Sequence, residues 1–491
     1  MMHQIKHRWI SVGAVVCLVL ALQLALAPVA TAQSVEVLAA NYIRATKLGK
    51  ATFGMRVLDL ETGEVLAEHN PNEALIPASN MKLVTTASAL GILGADFHFS
   101  TDMRLVDKTL VIRGDGDPGF GDPKLLEAMG MDMEQMLDRW VQAVKRTNQT
   151  QFDAILIDDR AIDQEFVHPE WPRNQLHKWY CAQVAAINFN DNCLDLYARP
   201  RAPGQRPVIH IEPRDPPILL DNDSTSGKRN AFWASRKLGG NQVVLRGQVR
   251  HALTTPANVT IHDPPMFFGK LMQRRLKEAG IAVDAVQRVE PQQVLAEGRL
   301  LAEVQTTLPT VIARCNHDSQ NLFAEALIKR MGNAVTGQPG GWANGAAAMR
   351  GFLARALGSD AASVIISDGS GMSRENRISA RDMVGLLEYM HNDSGVGDVF
   401  AASLAAPGEP GTLEDRFDDV NLAGRVRAKT GYIKGVVSLS GYLTVGDHTV
   451  AFGMLLNDYY GSTAPVKKMM EKIVAAVDAH LAAQHPIKLG G

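Results

Sequence analysis

The sequence predicts a mixed α/β protein in which one domain, built from both ends of the chain, is interrupted by a large, mostly β insertion. Three patterns lead to this prediction. Alternating apolar residues over 52–68, around a Glu-Thr-Gly turn, indicate a β-hairpin, and an apolar helix follows from about residue 80. Residues 302–482 combine helical periodicity with alternating strands and a closing helix. Between them, short alternating runs are separated by Gly- and Pro-rich turns.

The first 32 residues have the features of a secretory signal peptide. Lys6 and Arg8 provide a basic start, an uncharged stretch of mainly Leu, Val and Ala follows, and Ala-Thr-Ala at 30–32 forms a small-x-small cleavage site. The stretch is also long enough for an uncleaved membrane anchor, but Pro28 and the cleavage site favour removal. The sequence therefore predicts export to the periplasm or to the outer face of the cytoplasmic membrane of a bacterium.

Charge and length limit the classes of function. Loss of the signal peptide changes the formal net charge from −2 to −4, because Lys6 and Arg8 are its only charged residues. Proteins that bind nucleic acid normally carry a basic excess or stripe, so this charge argues against nucleic acid as a partner. The mature chain is too long for one hydrophobic core and predicts two or three domains. No Cys/His spacing indicates a metal site, and no cofactor is expected.

Three cysteines remain after the predicted cleavage: Cys181, Cys193 and Cys315. In an oxidising compartment, Cys181 and Cys193 could form a disulfide; two buried thiols are the equally weighted alternative. Cys315 lies in a helical pattern and is predicted to pack in a core.

A serine and a lysine, one helical turn apart, stand at the start of the apolar helix. Ser79 and Lys82 follow Pro77, and their spacing puts both side chains on one face. The serine hydroxyl would then meet the positive end of the helix, with an amine beside it to accept its proton. This pair predicts a serine nucleophile that needs no histidine. Taken alone, Ser79 fits an ordinary helix cap better, since capping is the commonest use of serine before a helix.

Two further motifs follow in order along the chain. Ser319-Gln320-Asn321 is the only Ser-x-Asn sequence, and Lys-Thr-Gly at 429–431 is the only Lys-[Ser/Thr]-Gly sequence. Ser-x-x-Lys, Ser-x-Asn and Lys-Thr-Gly, in this order, are typical of penicillin-binding proteins and class A β-lactamases. Each motif alone is weak evidence, but the ordered set is strong evidence for one site.

The chain resembles the low-molecular-mass penicillin-binding proteins of the D-alanyl-D-alanine carboxypeptidase/endopeptidase type, which carry two extra domains between the first and second motifs. The likeness covers nearly the whole mature chain and includes segments 115–118, 188–193 and 368–376. It implies a transpeptidase/β-lactamase-like α/β (α+β) domain, with an antiparallel sheet flanked by helices and the site at the sheet edge. Tyr432 departs from the pattern, since related families usually have a small residue there.

The resemblance also implies a domain arrangement. Residues 33–96 and 293–491 would form the discontinuous catalytic domain. Residues 97–120 and 196–292 would form an inserted domain II, and residues 121–195 would form a domain III nested within it.

The resemblance assigns a role to each motif residue. Ser79 would attack the carbonyl between two D-alanines and become acylated. Lys82 would act as the base once partial burial and the nearby ammonium of Lys429 lower its pKa. Ser319 would pass a proton to the departing amine, while Asn321 would position Lys82 and donate to the substrate backbone.

The third motif is expected to bind the end of the peptide. Lys429 and Thr430 would offer a charge and a hydroxyl to the terminal carboxylate, which explains a preference for free C-termini. Backbone N–H groups of Ser79 and Tyr432 would form an oxyanion hole. The strand that carries Gly431 could also pair with the extended substrate.

These roles predict a serine-type carboxypeptidase, also acting as a DD-endopeptidase, on peptidoglycan peptides, with β-lactam antibiotics as covalent inhibitors. The alternatives are a serine β-lactamase-type hydrolase, which needs a deacylating glutamate that we do not identify, and a non-catalytic wall-binding scaffold. The sequence leaves open whether the mature protein is free or peripherally associated with the membrane. Asp158, at the end of an apolar strand, is a further candidate that would meet a free amine of the stem peptide; a simple strand-ending residue is the favoured alternative.

Overall fold

The computed structural model describes residues 34–484. The predicted signal peptide lies outside the described residues. Within 34–484, no helix is both long and apolar enough to cross a membrane.

Helices and strands alternate along the described chain. The α-helices are α1 Val35–Thr46, α2 Met81–Leu93, α3 Pro123–Ala128, α4 Met133–Lys145, α5 Pro264–Glu278, α6 Leu308–His317, α7 Asn321–Thr336, α8 Trp342–Leu357, α9 Ala380–Asn392, α10 Gly397–Ala402 and α11 Thr463–Gln484. The strands are β1 Thr52–Asp59, β2 Val65–His69, β3 His98–Val106, β4 Thr109–Gly114, β5 Gln151–Asp158, β6 Cys193–Arg199, β7 Val208–Glu212, β8 Leu219–Asn222, β9 Thr225–Ser226, β10 Trp233–Arg236, β11 Gln242–Arg246, β12 Gln248–Val249, β13 Ala257–Thr260, β14 Ala282–Arg288, β15 Arg299–Thr307, β16 Val426–Ile433, β17 Val436–Val445 and β18 His448–Asn457.

Both ends of the chain build one five-stranded antiparallel sheet, in the order β16-β17-β18-β1-β2. The predicted hairpin is confirmed as β1 and β2, and Gly63 supplies a positive φ of 74° in its turn. β17 and β18 are buried along almost their whole length, because α1 and α11 cover one face of the sheet and α9 covers the other. The predicted antiparallel sheet flanked by helices is therefore confirmed.

A helical layer packs beside this sheet around α2. Every residue of α2 from Met81 to Leu90 is buried, and it packs with α7, α8 and α9 in one apolar core. A helix that is apolar on all sides requires such complete cover. The amino-terminal end of α2 consequently lies next to the edge strand β16, where Gly431 approaches Ser79.

A second, mixed sheet has the order β14-β5-β4-β3-β15, with α4 and α5 packed in its core. Its strands come from the predicted insertion except for β15, which lies in segment 293–491. β5, from predicted domain III, pairs in parallel with β4 and β14, both from predicted domain II. β15 pairs antiparallel with β3 and leads the chain back to the first domain. Strand pairing thus joins the two predicted inserted domains, and their boundaries stay a prediction.

Residues 124–146 have a continuous helical pattern in the sequence, yet the structure divides them into α3 and α4. Gly130 adopts a left-handed conformation with φ 65° between them, which ends the first helix. Asp132 then begins α4 with a capping box, in which its side chain and that of Gln135 bond each other's backbone. Local cap chemistry therefore overrides the continuous helical pattern.

The three cysteines of the described chain are buried, free thiols. Cys181 and Cys193 are not bonded to each other, which agrees with the second of the two alternatives. Burial raises the pKa of Cys181 and of Cys315 to about 12. These thiols are therefore inert, packed groups.

Candidate active site

Ser79 lies in a single 3₁₀ turn, Ala78–Asn80, that leads directly into α2. Its side chain is half-buried between two fully buried neighbours. Ala78 has a left-handed φ of 47°, a conformation that costs an alanine about 1–2 kcal/mol. Its carbonyl oxygen would lie only 1.8 Å from a Cβ atom added to Gly371, so only glycine fits beneath the turn. Close packing therefore holds the strained turn and presents the serine.

Lys82 connects the first motif with the second. Its Nζ lies 3.1 Å from Ser79 Oγ, 2.7 Å from Asn321 Oδ1 and 3.1 Å from the carbonyl oxygen of Ser370. The side chain is completely buried, and this burial lowers its pKa to about 8. A useful fraction of the amine is then neutral near neutral pH and can accept the proton of the serine hydroxyl.

The cause of this pKa shift differs in part from the expectation. Lys82 is fully rather than partly buried, and desolvation is the largest cause of its lowered pKa. The negative charges of Glu325 and Asp368 oppose the shift and raise the pKa. For Lys429, burial and then the charge of Lys82 hold the pKa well below its ordinary value.

Asn321 begins α7 and joins the lysine to the insertion. Its Oδ1 accepts from Lys82, and its Nδ2 donates to the carbonyl of Tyr180 at 2.8 Å. Ser319, two residues earlier, is half-buried and adopts a left-handed φ of 59°. A non-glycine residue in this region is strained, and such strain clusters at functional sites. The second motif therefore lies in contact with the first.

The third motif lies on the edge strand β16. Lys429 is completely buried and its Nζ donates to the carbonyl oxygen of Thr430 at 3.1 Å. Thr430 is half-buried, while the side chain of Tyr432 is 61% exposed at the rim. Tyr432 therefore offers the site its backbone, and its ring extends into solvent.

The turn before α2 is bonded directly to this strand. The Asn80 side-chain nitrogen donates to the carbonyl of Lys429 at 2.9 Å, and its oxygen accepts from the backbone nitrogen of Ser440 at 3.1 Å. A Cβ atom at Gly431 would stand 3.0 Å from the backbone nitrogen of Ser79. The structure thus gathers all three motifs at one place.

Glu325 holds the loop that contacts Lys82. Its carboxylate accepts from the backbone nitrogens of Gly369 (3.1 Å) and Ser370 (2.8 Å) and from Trp342 Nε1 (2.7 Å). Burial, with the nearby charge of Asp368, raises the pKa of Glu325 to about 7. These bonds fix the loop whose Ser370 carbonyl accepts from Lys82. Glu325 carries no motif signal, so sequence patterns do not indicate this role.

The insertion supplies two further contacts that sequence reasoning missed. Trp171 Nε1 donates to the buried carboxylate of Asp368 at 3.0 Å, and the Tyr180 carbonyl accepts from Asn321. Asp368 also accepts from the backbone nitrogens of Gly371 and Ser373. The aromatic-rich stretch 171–180 was a weak signal for these contacts, because no local spacing specifies such partners.

Asp158 does not lie beside the residues of the three motifs. It ends β5, and its carboxylate is paired with Arg160 through bonds of 2.7 and 2.9 Å. The cavity of about 560 Å³ that it lines contains none of the motif residues. In residues 34–484, no cluster of His, Cys, Asp or Glu has the arrangement of a metal site.

Comparisons of the amino-acid sequence with known proteins agree with the three motifs. The profile of the D-Ala-D-Ala carboxypeptidase 3 (S13) family matches residues 35–480. A D-alanyl-D-alanine carboxypeptidase of Actinomadura sp. (strain R39) is 29% identical over 441 residues, covering 84% of this chain and 78% of the relative. The D-alanyl-D-alanine carboxypeptidase DacB of Haemophilus influenzae is 23% identical over 425 residues, covering 83% and 85%.

Solved structures share the fold. The crystal structure of penicillin binding protein 4 (dacB) from Haemophilus influenzae superposes with a TM-score of 0.74 at 20% identity, covering 90% of this chain and 99% of that chain. The same protein complexed with a β-lactam superposes with a TM-score of 0.69, covering 89% and 99%. Because the family profile spans nearly all the described residues and includes the three motifs, the chain belongs to the D-Ala-D-Ala carboxypeptidase 3 (S13) family.

Proposed function

We propose that this protein is a serine-type D-alanyl-D-alanine carboxypeptidase that acts on peptidoglycan stem peptides through an acyl-enzyme on Ser79. One observation carries the proposal: the buried Lys82 amine contacts both the Ser79 hydroxyl and the Asn321 amide oxygen. The names of the relatives from Actinomadura and Haemophilus support the same substrate class.

Acylation begins with proton transfer from Ser79 to neutral Lys82. The freed Oγ forms a bond to the carbonyl carbon between the two D-alanines, and negative charge develops on the carbonyl oxygen. The backbone N–H groups of Ser79 and Tyr432 receive that charge, an effect of about 3 kcal/mol for each donor. Ser319 then delivers a proton to the departing amine as the C–N bond breaks, and the proton that Lys82 took from Ser79 replaces it.

The third motif selects peptides with a free carboxylate. Lys429 is buried with its Nζ on the carbonyl of Thr430, and a bound carboxylate would favour the charged ammonium. The Thr430 hydroxyl offers a second donor. A neutral or extended C-terminus would leave the buried lysine without a counter-ion, so such peptides should be poor carboxypeptidase substrates.

Deacylation returns the enzyme to its starting state. Water attacks the Ser79 ester, the acyl peptide leaves with a new carboxylate, and the serine proton is restored. A β-lactam would form the same ester with Ser79 and remain bound when water attacks slowly. Cleavage of cross-links would follow identical steps, with the side-chain amine of a second peptide as the leaving group.

The substrate class implies a location outside the cytoplasm of a bacterium. Export by the predicted signal peptide agrees with this location. The proposal extends to peripheral association of the mature protein with the membrane surface. The substrate is polymeric and lies outside the cytoplasmic membrane, so an enzyme with this activity must be exported to reach it.

The test uses the mature protein with labelled penicillin, a pentapeptide ending in D-Ala-D-Ala and a cross-linked dimer. Penicillin should label Ser79 covalently with slow turnover, and D-alanine should be released from the pentapeptide. Ser79→Ala should lose both, whereas Ser235→Ala, a serine of β10 in the insertion, should keep both. Covalent labelling of Ser79→Ala would overturn the nucleophile, and rapid penicillin turnover without peptide cleavage would favour the β-lactamase alternative.

A further inference from the structure

The loop that carries Ser319 is tied to the insertion on both sides. Before it, the Asp318 carboxylate accepts from Lys124 Nζ at 2.5 Å. After it, Gln320 Nε2 donates to Asp191 Oδ2 at 3.0 Å. Ser319 stands between these two bonds in its left-handed conformation. Both partners, Lys124 and Asp191, belong to the insertion.

Arg314, in the last turn of α6, strengthens the first of these ties. Its guanidinium donates to Asp318 Oδ2 and, through two nitrogens, to Asp122 Oδ2. Asp122 is completely buried and its other oxygen caps α3 by accepting from the Leu125 backbone nitrogen at 2.8 Å. The Asp318 side is thus anchored to a fixed element of the insertion.

Asp191 is itself held in an unusual backbone. Asn190, Asp191 and Asn192 are consecutive left-handed residues, with φ values of 52°, 51° and 51°. The flanking amides fix this turn: Asn190 Nδ2 donates to the Cys193 carbonyl at 3.0 Å, and Asn192 Nδ2 donates to the Gln183 carbonyl at 2.7 Å. Three strained non-glycine residues in a row persist only where surrounding contacts over-determine them.

These hydrogen bonds restrict the backbone conformation of Ser319. Left-handed backbone is unfavourable for serine, so a loop freed from its partners would relax toward the ordinary right-handed or extended regions. Such a change rotates the Cα–Cβ bond and moves the hydroxyl away from its place. Asn321 is protected from this change, because its amide is held separately by the Tyr180 carbonyl and by Lys82.

We propose that Asp191 and Lys124 are positioning residues that hold Ser319 where its hydroxyl can deliver a proton to the leaving amine. The inference rests on the proposed function, in which Ser319 performs that proton transfer. In this view the insertion takes part in catalysis, because its contacts with the Ser319 loop set the rate of proton delivery to the leaving amine. This is in addition to any role of the insertion in shaping the cleft. Neither residue touches the reacting atoms.

The test compares two substrates with the same acyl group. One is a peptide with an amine leaving group, which must be protonated to depart; the other is a thiolester, whose thiolate leaves without protonation. Asp191→Ala should lower kcat on the peptide by about tenfold or more, a part of the roughly 10²–10⁴-fold that general acid catalysis contributes. It should leave kcat on the thiolester and both KM values within about threefold.

Three variants make the result specific. Asp191→Asn keeps an oxygen that can accept from Gln320, so it should restore the rate on the peptide. Asp153→Ala is the control: Asp153 is an exposed aspartate on β5 of the insertion and does not line the cavity that Asp191 lines, so both substrates should react normally. Lys124→Met removes one bond of the other tie through a side chain that is 59% exposed. Because Arg314 still holds Asp318, this variant should show the same selective loss to a smaller extent, in a folded protein even where Asp191→Ala fails to fold.

Ser319→Ala tests the proton-donor role of Ser319 separately from the positioning role of Asp191 and Lys124. Selective loss on the peptide in Ser319→Ala supports its role as the proton donor. If Ser319→Ala behaves so while Asp191→Ala and Lys124→Met slow both substrates equally, or neither, the positioning role is overturned and the proposed function stands. If Ser319→Ala slows both substrates equally, the proton-delivery role itself is wrong, although acylation of Ser79 would still be measured by penicillin.

Discussion

Gly431 lies so close to Ser79 that a Cβ atom on the glycine would stand 3.0 Å from the serine backbone nitrogen. The two residues come from opposite ends of the chain, one from the edge strand β16 and the other from the turn before α2. Their approach places the Ser79 N–H beside the strand that carries Lys429. The proposed oxyanion hole depends on this contact.

We predict that Gly431→Ala blocks acylation. Its Cβ would also stand 2.1 Å from Ser438 Oγ on β17, the hydroxyl that donates to the Pro77 carbonyl of the turn, so both that hydroxyl and the turn must shift. The rate of penicillin labelling should fall about 10²-fold or more, as for loss of an oxyanion donor, and overpacking should cost about 1–3 kcal/mol of stability. Stopped labelling reactions and urea unfolding measure the two effects.

Gly351→Ala is the matched control for this change. Gly351 is exposed on α8, and an added Cβ would meet no atom within 4 Å. This variant should label at the normal rate and gain up to about 1 kcal/mol. Normal labelling of Gly431→Ala would show that the close approach has no bearing on catalysis.

We predict that the rate of acylation rises with pH and is half-maximal near pH 8. Lys82 must be neutral to accept the serine proton, and burial lowers its pKa to about 8. The rate constant for penicillin labelling, measured from pH 6 to pH 10, checks this expectation. A flat profile, or a midpoint close to the ordinary lysine value of 10.5, would contradict the role of Lys82 as the base.

The same pKa predicts a pH-dependent stability. The folded protein releases the Lys82 proton near pH 8, whereas the unfolded chain keeps it up to about pH 10.5, so stability rises with pH across this window. Below pH 8 the buried ammonium costs about 3 kcal/mol. Lys82→Met should therefore lose about 3 kcal/mol of its stability relative to the natural protein between pH 7 and pH 10.5.

Urea unfolding at the two pH values measures that difference. Lys145→Met, which replaces an exposed lysine at the end of α4, provides the baseline for removing one lysine. An equal change in the Lys82 and Lys145 variants would mean that the amine at residue 82 is not desolvated.

We predict that Ser319→Gly is more stable than Ser319→Ala. Residue 319 has a φ of 59°, which glycine adopts freely and alanine adopts at a cost of about 1 kcal/mol. Both variants lack the hydroxyl, so their stability difference isolates backbone strain from side-chain chemistry. Urea unfolding of the two variants measures it. Equal stability would show that the loop relaxes without cost, so that Asp191 would have no strained backbone to hold.

We predict that the cysteines react only in the unfolded protein. Cys181, Cys193 and Cys315 are free and buried, and burial raises their pKa values, to about 12 for Cys181 and Cys315. Alkylation followed by mass spectrometry should label all three after denaturation without a reductant and none beforehand. A Cys181–Cys193 disulfide found in the purified mature protein would contradict the free thiols.

Much of the fold follows from patterns within short stretches of sequence. The hairpin of β1 and β2, the apolar helix α2 and the strands β16 to β18 each have a periodicity that consecutive residues define. The ordered motifs at Ser79, Ser319 and Lys429 likewise indicated one site, because the chemistry of a serine nucleophile requires these residue types together.

Other features depend on partners far along the chain. Asp158 pairs with Arg160 and lines a cavity that contains none of the motif residues, a placement that its position at a strand end does not indicate. The second sheet joined β5 to β4 and β14 across the predicted domain boundaries. Long-range pairing of this kind is chosen by packing of whole elements, and no local window of sequence contains that information.

The amino-acid sequence by itself determined the family of this protein, its three motifs and the split of one domain by an insertion. Only the tertiary structure decided that Lys82 is completely buried, that Ser319 is held in a left-handed backbone, and that Tyr180 and Asp191 reach the second motif. The physical reason is that desolvation and strain are properties of an environment. Residues distant in sequence create that environment when the chain folds.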